Sequence, residues 1–107
     1  MKAAGTLSLL VLWAVLFASP AGSDEAATIA LYKTRCAACH GEDGRPRGIA
    51  KNSAVFTDQA WKRSTSVDEV AQVISQGRSK MPGFASKLTP EEIRALAAYV
   101  LAMKNSP

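Results

Sequence analysis

The segment over residues 35–41, which reads RCAACHG, constrains this chain more than any other feature. It contains both cysteines and the only histidine of the 107 residues. Cysteines three positions apart lie on one side of a helical turn, so Cys36 and Cys39 can present their sulfurs together. His40 follows the second cysteine directly. The spacing predicts that two thiols and one imidazole act at a single site.

Four kinds of site use such a segment. A redox-active dithiol of the thioredoxin kind needs a strand–helix unit beside the cysteines, and no strand pattern precedes Cys36. A disulfide between Cys36 and Cys39 closes a very short loop and stabilises a fold little. A structural zinc ion needs four ligands, and only three obvious candidates are present. The sequence does not eliminate these three kinds of site, but it favours a fourth kind, covalent haem attachment.

Covalent haem attachment is the fourth kind of site, and C-x-x-C-H is its signature. Two cysteines add to the vinyl groups of the porphyrin as thioethers, and the histidine beside the second cysteine reaches the iron. The spacing is required because both vinyl groups belong to one rigid ring with the iron at its centre. We therefore predict one covalent haem c, with Cys36 and Cys39 as thioether cysteines and His40 as an axial iron ligand.

The N-terminus has the layout of a secretory signal peptide. Lys2 precedes an apolar run over residues 7–18, and small or turn-forming residues follow at 19–23. A helix over that run would be about 18 Å long, whereas the bilayer core is about 30 Å thick. Residues 1–22 are therefore predicted to be a cleavable signal peptide, and residues 23–107 to be the domain that reaches the periplasm. An uncleaved membrane anchor is the alternative.

The size and charge of the mature part also restrict its function. A domain this small has a thin side-chain core, and small exported domains usually add a disulfide framework, a metal or a cofactor. The chain has 13 Lys and Arg residues against 9 Asp and Glu residues, with no cluster of four or more basic residues. Nucleic-acid binding is therefore not predicted.

Helical periodicity dominates the mature chain, and strand patterning is almost absent. A first helix is predicted over 24–38, a loop over 41–53 and a short helical turn after Asp58. Capping boxes at Ser66 and Thr89 begin two further helices. The predicted fold class is therefore all-α.

A second iron ligand determines what such a haem does. There is no second histidine, which excludes bis-histidine ligation within one chain. Met1 leaves with the signal peptide, and Met103 stands near the end of the last helix, where apolar packing explains it. Met81 lies in the loop GRSKMPGF, residues 77–84, which Pro82 stiffens. Met81 is the predicted sixth ligand, with loop packing as the alternative.

Four parts of the chain together resemble a small monohaem class I cytochrome c of bacterial type. They are the export signal, LYKTRCAACHGEDG, GRSKMPGF and LTPEEIRALAAYVLAMK. The resemblance covers residues 24–104 and implies the small cytochrome c fold, with three to four helices wrapped around one covalent haem. It also implies that the first and last helices cross through a set of small and aromatic residues: Ala27, Ala30, Tyr32, Leu96 and Tyr99.

The chain departs from this family beside the motif. A proline close after the motif often offers its carbonyl to the second ring nitrogen of the axial histidine. Here the next proline is Pro46, within GRPRG, so the hydrogen-bond acceptor for His40 stays open. A glycine expected upstream of Tyr32 is replaced by Thr28.

Histidine–methionine ligation keeps the iron six-coordinate in both oxidation states and raises its reduction potential. The resemblance implies a periplasmic electron carrier rather than an enzyme, a monomer that docks transiently on donor and acceptor redox proteins. Arg78 and Lys80, beside Met81, are the predicted docking surface for an acidic partner. Two alternatives stay open: a haem sensor or weak peroxidase with a labile sixth ligand, and a tethered cytochrome subunit of a respiratory complex.

Overall fold

The computed structural model describes residues 21–104, with side chains from residue 24 onward. Within this part the α-helices follow one another as α1 (Ala21–Arg35), α2 (Ala37–His40), α3 (Gln59–Arg63), α4 (Val67–Gln76) and α5 (Pro90–Ala102). A short 3-10 helix, Gly48–Ala50, lies between α2 and α3. The described residues contain no β-strand, which confirms the all-α fold class.

The predicted signal peptide, residues 1–22, lies outside the described residues apart from its last two positions, with which α1 begins. Between residues 21 and 104, no helix is both long enough and apolar enough to cross a bilayer.

Reciprocal capping bonds begin the two long helices of the second half. The Ser66 hydroxyl accepts from the backbone N–H of Glu69 at 3.1 Å, and the Glu69 carboxylate accepts from the N–H of Ser66 at 3.0 Å. Thr89 and Glu92 repeat this pair of bonds at 3.0 and 2.8 Å. Pro90 occupies the first turn of α5, where no N–H donor is needed. Both predicted helix starts are confirmed.

The predicted first helix, 24–38, is interrupted at Cys36. There φ is −121° and ψ is −35°, so α1 ends at Arg35 and α2 begins two residues later. The N–H of Cys36 still reaches the carbonyl of Tyr32 at 2.9 Å, but the N–H of Cys39 bonds three residues back, to Cys36, at 3.2 Å. The N–H of His40 bonds the same carbonyl at 2.9 Å, so a single turn of helix follows the interruption.

The hydrophobic core lies where α4 and α1 pack against α5. Ile93, Leu96, Ala97 and Val100 of α5 are all buried, as the periodicity of this helix predicts. Leu101, expected on the same stripe, is only half-buried. The remaining buried hydrophobic residues come from the other helices and the loops: Tyr32, Ala37, Phe56, Ala71, Ile74, Phe84 and Leu88.

The crossing of α1 and α5 uses different small residues from those expected. Tyr32 is buried and its ring centroid lies 5.2 Å from that of Tyr99, which confirms the aromatic contact. Ala27 and Ala30 are exposed, and the prediction that they line the crossing is wrong. Residues four apart share a helical face, so the partner of Tyr32 on this face is Thr28, which is buried.

A lysine joins α3 to the end of α5. The ammonium group of Lys62 donates to the carbonyls of Leu101 and Met103, the first at 3.0 Å. Carbonyls in the last turn of a helix have no intrahelical partner and carry partial negative charge. Lys62 therefore satisfies this helix end and holds α3 against it.

Replacing Lys62 with methionine keeps most of the apolar stem but removes both donors. We expect the free energy of unfolding, measured by urea denaturation, to fall by about 1–3 kcal/mol. Arg63→Met, at the exposed neighbour on α3, is the matched control and should change it by less than about 0.5 kcal/mol. Equal loss in the two variants would contradict the role given to Lys62.

Candidate haem site

The two cysteines stand in different surroundings at the start and within α2. Cys36 is half-buried and packs against the hydrophobic core, whereas Cys39 is exposed. Burial raises the pKa of the Cys36 thiol to about 11, and the Arg35 guanidinium opposes this shift. No disulfide joins Cys36 to Cys39. The segment therefore presents one sulfur against the core and one to solvent.

The half-buried side chain of His40 stacks on one aromatic ring. Its ring stacks on Phe56 with centroids 4.8 Å apart, and Phe56 stacks on Trp61 at 5.3 Å. Nδ1 of His40 is buried and has no hydrogen-bond partner among the described residues, so the carbonyl of Pro46 does not serve as its acceptor. Burial lowers the pKa of His40 and keeps the ring neutral at pH 7.

Two observations in this segment fit a covalently held iron porphyrin. A neutral imidazole is the form of histidine that binds a metal ion, and His40 is kept in that form by its burial. Its ring nitrogen Nδ1 is buried and makes no hydrogen bond in the described part of the chain, so no group there competes for the ring. The two thiols lie within one helical turn of this ring.

Hydrogen bonds from outside α2 fix the backbone of the segment. The buried hydroxyl of Tyr32 donates to the carbonyl of Gly41 at 2.6 Å. The backbone N–H of Arg47 donates to the carbonyl of Cys39 at 2.7 Å, and that of Gly41 donates to Ala37 at 2.8 Å. A four-residue helix leaves its last carbonyls without internal partners, so these bonds determine where the segment lies.

Met81 is presented by a tight turn. The N–H of Arg78 donates to the carbonyl of Met81 at 3.0 Å, and the N–H of Met81 donates back at 2.9 Å. Between them Ser79 has a φ of +56°, which is uncommon outside glycine. The side chains of Arg78, Ser79 and Lys80 are exposed, whereas Met81 is half-buried and packs against the core.

Glycines allow this loop to lie against the end of α4. Gly77 ends α4 with a φ of +82°. Further along, the N–H of Phe84 donates to the carbonyl of Ile74 at 2.8 Å. A Cβ atom on Gly83 would lie 2.6 Å from the backbone oxygen of Ser75, closer than real Cβ contacts. The path of the Met81 loop therefore requires glycine at this position.

The structure thus brings three of the predicted site residues into one segment and places the fourth on a separate loop. Cys36, Cys39 and His40 are joined through α2. Met81 comes from the turn after α4 and shares the hydrophobic core with Cys36.

Met103 occupies a different place from Met81. A Cβ atom on Gly44 would lie 3.0 Å from the Met103 sulfur and 3.0 Å from Cβ of Phe56. Because Phe56 stacks on His40, Met103 packs among residues that support the imidazole. This agrees with the packing role expected for it.

Phe56 is the residue of the site that sequence reasoning missed. It is buried between His40 and Trp61, and its N–H donates to the carbonyl of Gly44 at 3.0 Å. A short apolar run over residues 54–56, inside an otherwise polar loop, was the signal that could have found it.

The known proteins to which this chain is similar are cytochromes and cytochrome c oxidase subunits. The family model described as "Cytochrome C oxidase, cbb3-type, subunit III" matches residues 24–100. The cbb3-type cytochrome c oxidase subunit CcoP of Rubrivivax gelatinosus is 39% identical over 72 residues, which is 66% of this chain and 23% of that protein. Cytochrome c6 of Anabaena variabilis is 32% identical over 71 residues, covering 66% of this chain and 81% of that protein.

Solved structures resemble the fold closely. The KustC0563 c-type cytochrome has a TM-score of 0.69 and 34% sequence identity, over 73% of this chain and 98% of that structure. Cytochrome c6C from Synechococcus sp. PCC 7002 has a TM-score of 0.58 and 30% identity, over 73% of this chain and 90% of that structure.

Fold and site together define a small all-α protein with one covalently bound haem c. The chain belongs to the cytochrome c family, as a small class I monohaem cytochrome. It spans only 23% of the length of the CcoP subunit that it matches.

Replacing Tyr32 with phenylalanine should destabilise the protein while leaving the aromatic contact with Tyr99 in place. The buried carbonyl of Gly41 loses its donor, which should lower the free energy of unfolding by about 1–3 kcal/mol. Tyr99→Phe, at the partly buried ring of the same pair, is the control and should lower it by less. A smaller loss from Tyr32→Phe than from Tyr99→Phe would refute the importance of this bond.

Gly83→Ala should force the Met81 loop away from α4, because the new methyl group meets backbone oxygen rather than a movable side chain. We expect a loss of about 1–3 kcal/mol in the free energy of unfolding. Lys80→Ala, an exposed change in the same loop, should stay within about 0.5 kcal/mol of the parent. Denaturant unfolding measures the free energy of unfolding of both variants. An unchanged value for Gly83→Ala would show that the Met81 loop is not tightly packed against α4.

Proposed function

We propose that this chain is a periplasmic electron carrier, with haem c attached through Cys36 and Cys39 and its iron ligated by His40 and Met81. When bound, the haem iron takes up one electron as it passes from ferric to ferrous and releases it on oxidation. The observation that carries the proposal is the CAACH segment itself, which forms α2 and its N-cap and holds a half-buried imidazole in the neutral form.

The surroundings of His40 support its role as an axial ligand. Stacking on Phe56 restricts rotation of the imidazole, and burial disfavours its protonated form. The bonds from Tyr32 to Gly41 and from Arg47 to Cys39 hold the backbone on both sides of the ring. A ligand fixed in orientation and protonation state suits an iron site that has to stay intact through many redox cycles.

Met81 is the better candidate than Met103 for the sixth ligand. A sixth ligand would have to come from a part of the chain other than the residues packed around His40. Met103 packs beside Gly44 and Phe56, among the residues that contact His40. Met81 arrives on a separate turn that is closed by two backbone bonds and faces the core.

Two protein ligands leave no open coordination position for a substrate. We therefore propose an electron-transfer protein rather than an enzyme, a monomer that docks transiently first on a donor and then on an acceptor. Weak, transient docking suits a carrier because it has to leave each partner after one electron.

The proposed location is the periplasm, with residues 1–22 removed as a signal peptide and residues 23–107 forming the mature protein. A second candidate is a cytochrome subunit that stays tethered to a membrane oxidase, which the match to the cbb3-type subunit family favours. Mass spectrometry of the exported protein separates the two. A carrier lacks residues 1–22 and stays in the soluble fraction, whereas a tethered subunit retains them and sediments with membranes.

Met81→Ala should leave the haem attached but open the iron to external ligands. The ferric wild-type protein should show the red charge-transfer band of sulfur on iron, and the variant should lose that band and bind cyanide, or carbon monoxide when reduced. Met103→Leu is the matched control and should keep the band. A wild-type protein without the band, or rapid carbon monoxide binding to it, would refute Met81 ligation and favour the haem sensor or weak peroxidase.

A further inference from the structure

We infer that the loop over residues 45–51, RPRGIAK, is the surface on which an acidic redox protein docks, with Ile49 as its apolar anchor. The inference rests on the proposed electron-carrier function. It concerns a part of the chain different from the Arg78 and Lys80 turn to which the sequence pointed. We call residues 45–51 the Ile49 loop.

Ile49 is unusual in its exposure. Its side chain is 71% exposed, and no other large hydrophobic side chain in the described part of the chain is exposed. It stands in the middle of the 3-10 helix Gly48–Ala50, which projects it from the surface. A single exposed apolar residue is ordinary on a protein surface, so its meaning depends on what surrounds it.

Cations surround Ile49 on both sides along the loop. Arg45, Arg47 and Lys51 are all exposed, and residues 44–57 contain no carboxylate. Asp43 lies 4.0 Å from Arg47, but both side chains are solvated and such a pair contributes little. An apolar centre with a charged rim is the usual anatomy of a transient interface, and the sign of this rim selects an acidic partner.

The Ile49 loop is also attached directly to the haem segment. The N–H of Arg47 donates to the carbonyl of Cys39 at 2.7 Å, and the N–H of Ala50 donates to the carbonyl of Arg47 at 2.9 Å. Cys39 itself is exposed. A partner seated on Ile49 would therefore contact a loop that is one hydrogen bond from a proposed thioether cysteine.

The turn around Met81 fits this role less well. Arg78 and Lys80 carry the same charge, but the residue between them is Ser79 and no exposed large hydrophobic side chain accompanies them. Charge alone steers encounter, whereas an apolar contact slows the departure of the partner. The Met81 turn therefore serves as the charge-matched control.

An anionic membrane is the other surface that a basic, apolar loop could meet. Burying one isoleucine contributes about 1.5–3 kcal/mol. Stable attachment to a membrane generally takes two signals, such as a lipid chain and a basic patch. The proposed function requires protein donors and acceptors, so a protein partner is favoured over a lipid surface.

The test measures electron transfer from the reduced holoprotein to an oxidised acidic blue-copper protein by stopped-flow absorbance. The double variant R45E/K51E should lower the bimolecular rate constant about tenfold or more at low ionic strength, and the difference should shrink as salt is added. Ile49→Ser should lower it about fivefold at every ionic strength, because the lost contact is apolar. The control R78E/K80E should lower it less than R45E/K51E does.

Several results would overturn the inference. They are wild-type rates independent of ionic strength, unchanged rates in R45E/K51E and Ile49→Ser, or a larger loss in R78E/K80E. Wild-type sedimentation with anionic phosphatidylglycerol vesicles that Ile49→Ser abolishes, with no change in rate, would assign the loop to a membrane instead. Failure of the proposed function is read separately, from purified protein that lacks haem or from iron that dithionite does not reduce.

Discussion

Everything in this structure depends on how the carbonyl end of α2 is held. This helix has four residues and cannot fix itself, so the Tyr32 hydroxyl and the Arg47 amide supply bonds that connect it to α1 and to the following loop. The bond from Tyr32 is buried and links α1 to Gly41 directly after His40. The proposed attachment of haem through Cys36, Cys39 and His40 would need such a rigid segment, because the porphyrin ring cannot adapt to a moving one.

The loop that carries Met81 is positioned by glycines instead. Gly77 and Gly83 let the Met81 loop approach the end of α4 where a Cβ atom would collide with backbone. The turn between them then closes on itself through Arg78 and Met81. The backbone beside His40 is therefore held by hydrogen bonds from Tyr32 and Arg47. The backbone beside Met81 is placed by glycines, which have no Cβ atom to collide with α4. Between them lies a core supplied mainly by α5.

Local chemistry explains which features the sequence could predict. The capping boxes at Ser66 and Thr89 involve residues three apart and are visible without tertiary information. The interruption at Cys36 was not predictable, because helical periodicity continues through it and no glycine or proline marks it. The face that α1 presents to α5 also escaped prediction, since Thr28 rather than Ala27 is selected by the partner helix.

The candidate site also has some features that the sequence could predict and others that it could not. The spacing of cysteines and histidine predicted the CAACH site, and comparison of the three methionines predicted Met81. The stacking of Phe56 on His40 was not predictable, because it arises from a long loop that returns to α2. The sequence could not predict that Nδ1 of His40 lacks a hydrogen-bond acceptor, because it does not show where the carbonyl of Pro46 lies. The assignment of individual ligands stays a prediction that rests on these contacts.

One measurement tests the central claim most directly: mass spectrometry of the tryptic peptide over residues 36–47 from protein made in a host that matures c-type cytochromes. The account predicts a single peptide that carries one haem on both cysteines, with neither sulfur open to iodoacetamide. A colourless protein whose two cysteines are both alkylated would contradict it.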